Sequence, residues 1–139
     1  MKNKNTENKP GTVHIPDAEL EVMQALWQSD KPLLIADIVR NIEKSHKCTK
    51  ASVHILCDRL AKRGFVSIEL VDDGPVAYKK VTALMTENRY RAFEADNIVN
   101  KVFRGSWKNL MASLIDAGTI SGEELKEISE IVNGRNKGK

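Results

Sequence analysis

Apolar residues recur every three to four positions in three consecutive short stretches. Leu20, Met23, Leu26 and Trp27 share one face of a first helix. Ile35, Ile38, Val39 and Ile42 share one face of a second, and Val53, Leu56, Cys57 and Leu60 one face of a third. The segment Asp30 to Pro32 breaks the first from the second. The third is predicted from Thr49, a good N-cap, to Arg63, with Gly64 as the residue that stops it. Three short helices on short links must pack their stripes together.

The period then changes. Val66, Ile68 and Leu70 alternate with Ser67 and Glu69, which predicts a half-buried strand. Asp72, Asp73, Gly74 and Pro75 form a turn, and Val76 to Val81 is the returning strand, with Tyr78 in its middle. Three helices followed by a hairpin is the order of a winged helix. Beyond it the helical period returns. Ala92, Ala95, Ile98, Val99, Val102 and Phe103 make a broad stripe, interrupted at Gly105, and Trp107, Leu110, Met111, Leu114 and Ile115 make another. Ser121 with Glu124 has capping-box spacing ahead of Leu125, Ile128, Ile131 and Val132, and Gly134 with a basic, glycine-rich tail closes the chain. The expected fold is mainly α with a small β-hairpin. It divides into a disordered tail over 1–12, a winged helix-turn-helix domain over 13–82, a helical region suited to dimerisation over 83–134, and a basic tail over 135–139.

Composition refines this in two places. The net charge of +3 announces nothing by itself, but its distribution does. Between Ser45 and Gly64, Lys47, Lys50, Arg59, Lys62 and Arg63 face Asp58 alone, whereas Leu84 to Gly134 carries six basic and eight acidic residues. A basic patch on a neutral-to-acidic body suits a chain in which one element meets phosphate and another meets protein. The two cysteines, Cys48 and Cys57, offer no disulfide framework and fit a reducing cytoplasm. The polar start of the chain lacks the apolar stretch of a signal peptide, and no apolar run has the length of a membrane span.

In a helix-turn-helix the second helix enters the major groove, with its first turns at base edges and its flanks on phosphates. The outward face of the third helix is Ala51, His54, Ile55, Asp58 and Lys62, with Ser52 and Arg59 at its margins. Lys50, Ala51, Ser52, His54, Ile55, Arg59, Lys62 and Arg63 are therefore the candidate contacts to double-stranded DNA. Ile55 has two readings: the edge of the apolar core, or an apolar contact such as a thymine methyl. For the cations the plain alternative is a solvated face. His46, Cys48, His54 and Cys57 are ligand types that zinc accepts, but their spacing matches no standard finger, and Cys57 falls on the apolar stripe. No metal or other cofactor is expected. No phosphate loop, nucleophile triad or carboxylate pair appears, so the sequence gives an enzyme no support. Trp27 and Trp107 lie on apolar stripes, where core is the commoner role. In the C-terminal helices Ile98, Val102, Phe103, Trp107, Leu110, Leu114, Leu125 and Ile128 are the candidate interface between two copies of the chain.

Several segments resemble the penicillinase-repressor family of bacterial winged-helix regulators. Asp17-Ala18-Glu19-Leu20-Glu21-Val22-Met23, continuing to Leu26-Trp27, is similar to that family's first helix. Asp58-Arg59-Leu60-Ala61-Lys62-Arg63-Gly64 resembles the end of its recognition helix, and Tyr78 stands where it has a wing tyrosine. Phe103, Gly105 and Ser121-Gly122-Glu123-Glu124-Leu125 are similar to its dimerisation region. The resemblance implies a homodimer on a palindromic operator and repression relieved by a signal, through an inducer or sensor protein that it does not name. It carries a phosphate role over to Arg59. The departures matter as much. The family's Trp before the recognition helix is Cys48 here, followed by Thr49-Lys50-Ala51-Ser52, and a base-contacting threonine of the family is Ile55. Ser113-Leu114 stands in place of the Asn-Phe bond at which the antibiotic-resistance members are cut, so that switch does not carry over. No cysteine follows Cys57, which excludes the copper-responsive members' C-terminal cluster. The competing expectation is a winged-helix protein-interaction module that has lost operator binding, suggested by the altered helix start and the acidic turn at Asp72-Asp73.

Overall fold

The computed structural model describes residues 14–137; the expected disordered tail over 1–12 lies outside them. The chain forms two compact units, one running through Ala95 and one beginning at Asp96. In the first, α1 (Asp17–Ser29) leads into a two-residue strand β1 (Leu33–Leu34), then α2 (Ile35–Ile42) and α3 (Lys50–Lys62), followed by strands β2 (Val66–Val71) and β3 (Tyr78–Ala83) and the opening turns of α4 (Glu87–Val102).

The stripes meet as their periodicity requires. Val22, Met23, Ala25 and Leu26 of α1, Ile35, Ile38, Val39 and Ile42 of α2, and Val53, Cys57 and Leu60 of α3 are buried in one core, closed by Ile15, Phe65, Val66, Val81 and Tyr90. Leu20, Trp27 and Leu56 sit at its margin. Trp27 donates its indole N–H to the Met85 carbonyl at 2.8 Å. Its ring lies 5.8 Å from that of Tyr90. The Tyr90 hydroxyl accepts from the Ile15 amide at 3.0 Å and donates to Glu94 at 3.1 Å. These bonds fasten the start of the domain and the start of α4 to the same core.

The expected hairpin is present, and a short third strand joins it. β1 pairs antiparallel with β3 (Leu33 opposite Val81), so the order is β1-β3-β2. The returning strand runs Tyr78–Ala83 rather than Val76 to Val81, because Val66 pairs with Ala83 and Val71 with Tyr78. Burial also lapses toward the hairpin tip: Val66 is buried, but Leu70, expected on the half-buried face, is 62% exposed. The hairpin extends past the helices that cover its base.

The second unit contains the end of α4, then α5 (Trp107–Asp116) and α6 (Gly122–Lys137). Ser106 caps α5 by accepting from the Asn109 amide at 3.1 Å. Ser121 and Glu124 form the expected capping box of α6, at 2.9 and 3.1 Å. Gly134 does not end that helix, which continues to Lys137; in mid-helix a glycine weakens the helix but does not break it. No side chain from Asp96 to Arg135 is buried. Trp107, expected on a packed stripe, is 62% exposed, and Ile98, Val102, Ile115, Ile128, Ile131 and Val132 are exposed with it. No helix among the described residues is long and apolar enough to cross a membrane.

Candidate nucleic-acid interface

α3 begins and ends on local chemistry. Thr49, in extended conformation, accepts from the Ser52 amide at 3.1 Å through its hydroxyl. The Ser52 hydroxyl answers: it donates to the Thr49 carbonyl at 2.9 Å and accepts from the Thr49 amide at 3.4 Å. This is a capping box with serine in the position that glutamate commonly takes. At the other end the Phe65 amide bonds the Leu60 carbonyl at 2.9 Å and the Gly64 amide the Ala61 carbonyl at 3.0 Å. Gly64 has φ of +83°, a conformation that L side chains rarely adopt, and this Schellman ending turns the chain from α3 into β2 within three residues.

Between these ends α3 divides cleanly. Val53, Cys57 and Leu60 are buried. Burial pushes the Cys57 thiol up to about 12, with the nearby Asp58 carboxylate adding to the shift and Lys79 opposing it. Lys50, Ala51, Ser52, Ile55, Asp58, Arg59 and Lys62 are exposed, and His54 is half-buried. Ile55 is 52% exposed, which removes the core reading of that residue. Ala51, Ile55 and Arg59 are spaced by four and so stand in one row, with Asp58 and Lys62 beside them. The side chains of Lys50, Arg59 and Lys62 make no hydrogen bond or ion pair with any described residue, so their charges remain available to an anionic partner.

Arg63 is placed differently from the other candidate contacts. Its guanidinium donates to the His14 carbonyl at 2.7 Å, stacks 4.9 Å from the centre of the Phe65 ring, and lies 3.8 Å from Glu19 Oε1. Glu19 is buried, and that oxygen has no hydrogen-bond partner among the described residues. Arg63 therefore ties the end of α3 to the start of α1. Nothing in the local sequence reveals this, since the partners lie 44 and 49 positions away. The loop before α3 is tied to α1 as well. His46 bonds the Glu21 carboxylate at 2.9 Å, and this contact, followed by the Lys47 carbonyl, raises the imidazole above its ordinary value.

His46, Cys48, His54 and Cys57 are not drawn into a cluster: Cys57 points into the core while His46 is held by Glu21. Of the candidate interface residues in the second unit, Ile98, Val102, Trp107 and Ile128 are exposed, and Phe103, Leu110, Leu114 and Leu125 are half-buried. Ser113 is exposed and Leu114 half-buried, both inside α5.

The sequence matches the model of the penicillinase repressor family over residues 15–134. It is 26% identical over 122 residues to the methicillin resistance regulatory protein MecI of Mammaliicoccus sciuri, covering 88% of this chain and 95% of that one. The MecI of Staphylococcus aureus strain N315 is similar at the same identity and coverage. The penicillinase repressor of Bacillus licheniformis is 23% identical over 118 residues, covering 85% of this chain and 88% of its own.

Proposed function

Because the chain belongs to the penicillinase repressor family, whose members are DNA-binding transcriptional repressors and not enzymes, we propose that it represses transcription as a homodimer on a two-fold operator. One observation carries the DNA side of this reading: α3 keeps an outward row uncovered by the protein, with unpaired cations at both ends. Ala51, Ser52, His54 and Ile55 occupy the first turns, where side chains reach base edges, with Lys50 at the helix start and Arg59 and Lys62 in its last turns placed for phosphates. Arg63 is left out of this set, since the domain itself engages its guanidinium.

The dimer is supported by the second unit. Its three helical segments leave large apolar side chains, Trp107 among them, in contact with water, which a monomer seldom tolerates. A second copy would cover them, and an obligate interface of this kind buries more than roughly 2,000 Å² in total. Two protomers also fit a regulator whose half-sites are about one helical turn apart.

The test combines sedimentation with binding to selected and random duplexes across salt. Three unpaired cations per recognition helix give about six phosphate contacts per dimer, so log K should fall against log salt with a slope of about −5. Trp107→Asp should give a folded monomer that binds the operator far more weakly. A monomeric parent at micromolar concentration would overturn the dimer. Binding with neither salt slope nor selection would overturn the operator reading in favour of a protein-interaction module.

A further inference from the structure

The first two turns of α3 present an unusual surface for reading base edges. Ser52 supplies the hydroxyl there, but its proton goes to the Thr49 carbonyl at 2.9 Å, which leaves it only acceptor capacity. The row beside it is Ala51 and Ile55, both exposed and neither able to hydrogen-bond. An exposed β-branched residue gains nothing from water, and this one is framed by charge. Lys50 precedes the patch and Arg59 follows it, nine residues apart, which is about 14 Å along a helix axis. A helix fits into a major groove about 12 Å wide, so a patch on its outward face meets base edges while cations before and after the patch are within reach of phosphates.

Within that groove the apolar feature is the C5 methyl group of thymine, shared by 5-methylcytosine. We infer that Ala51 and Ile55 form a reader of pyrimidine C5 methyl groups, so that thymine at the facing position is chosen by apolar contact. The inference rests on the operator reading above and adds its chemistry. Asp58, the next outward residue, is an exposed carboxylate that phosphate repels. It takes no part in phosphate anchoring, which falls to Lys50, Arg59 and Lys62. Each protomer presents the same patch, so a two-fold site holds two such positions.

The experiment starts from duplexes selected by the intact protein from a random library and follows binding by fluorescence anisotropy. The selected sites should carry thymine at a symmetric pair of positions. Replacing both thymines with uracil removes only the methyl groups. One methyl is worth roughly fourfold in affinity, so the pair should cost roughly fifteenfold. Placing cytosine there and then 5-methylcytosine should recover a similar factor, which separates methyl contact from any effect of uracil on duplex stiffness. In Ile55→Ser, whose melting temperature should match the parent's because the residue is exposed, thymine and uracil sites should bind within about twofold of each other. Equal binding of thymine and uracil sites by the parent, with selective and salt-dependent binding intact, overturns the methyl reader and leaves the operator reading standing. Absence of selective binding to any duplex overturns both.

Discussion

Arg59 and Arg63 lie four residues apart at the end of the same helix, yet the Arg59 side chain is exposed while that of Arg63 is engaged by its own domain. Arg63→Ala removes a charged hydrogen bond to the His14 carbonyl and a guanidinium stacked on Phe65, and leaves the buried Glu19 carboxylate without the cation 3.8 Å away. A charged hydrogen bond contributes about 1.5–3 kcal/mol and a partly exposed cation–aromatic contact about 0.5–1. The Arg63 side chain is about a third exposed, so solvent screens its ion pair, and the lower ends apply. The loss should be about 2 kcal/mol, or roughly 8 °C in melting temperature for a cooperative unit of this size. Arg59→Ala breaks no contact with a described residue and should melt within about 1 °C of the parent, while flattening the salt slope of DNA binding by about two units per dimer. Adding Glu19→Gln to Arg63→Ala should restore part of the lost stability, because it removes the stranded charge rather than replacing the arginine. Calorimetric melting and anisotropy titrations across salt, run on the same four proteins, decide it. If Arg63→Ala melts like the parent and flattens the salt slope as Arg59→Ala does, Arg63 is a phosphate ligand and the tie to Glu19 is incidental.

Two further outcomes follow from titrating groups. The raised His46 imidazole makes its bond to Glu21 strongest when protonated. Its stabilisation is complete below the ordinary value of 6.5 and is lost as pH rises through the higher folded value. His46→Gln should therefore flatten the decline of melting temperature between pH 6 and pH 8, and a parallel decline in the variant would show that another group drives it. Burial and a thiol pushed up to about 12 make Cys57 inert in the native protein. An aromatic disulfide reagent at pH 8 should titrate one thiol, Cys48, and two after denaturation; two native thiols would mean that the core around Cys57 opens readily.

Much of the first unit was legible in the sequence because its signals are local. The stripe of α2, Ile35, Ile38, Val39 and Ile42, is wholly buried, and Thr49 and Gly64 bound α3 as their chemistry predicts. β1 was not legible. Two leucines are too few to show an alternation, and they become a strand only because Val81 and Lys80 lie opposite. The register of β3 was lost for the same reason, being set by pairing across the hairpin rather than by its own pattern. The engagement of Arg63 needed partners distant in sequence. The capture of the Ser52 hydroxyl, by contrast, is local, three residues from the Thr49 cap that the sequence does show.

The division of α3 into a buried seat and an uncovered row also bears on how such a protein diversifies. Val53, Cys57 and Leu60 hold the helix in place, while the residues at 51, 55, 58 and 62 take no part in that hold. A lineage can rewrite the second group, one substitution at a time, without passing through unstable ancestors, because each change leaves the core untouched. The helix behaves as a fixed mount with an exchangeable face. That face can change while the fold that carries it stays the same.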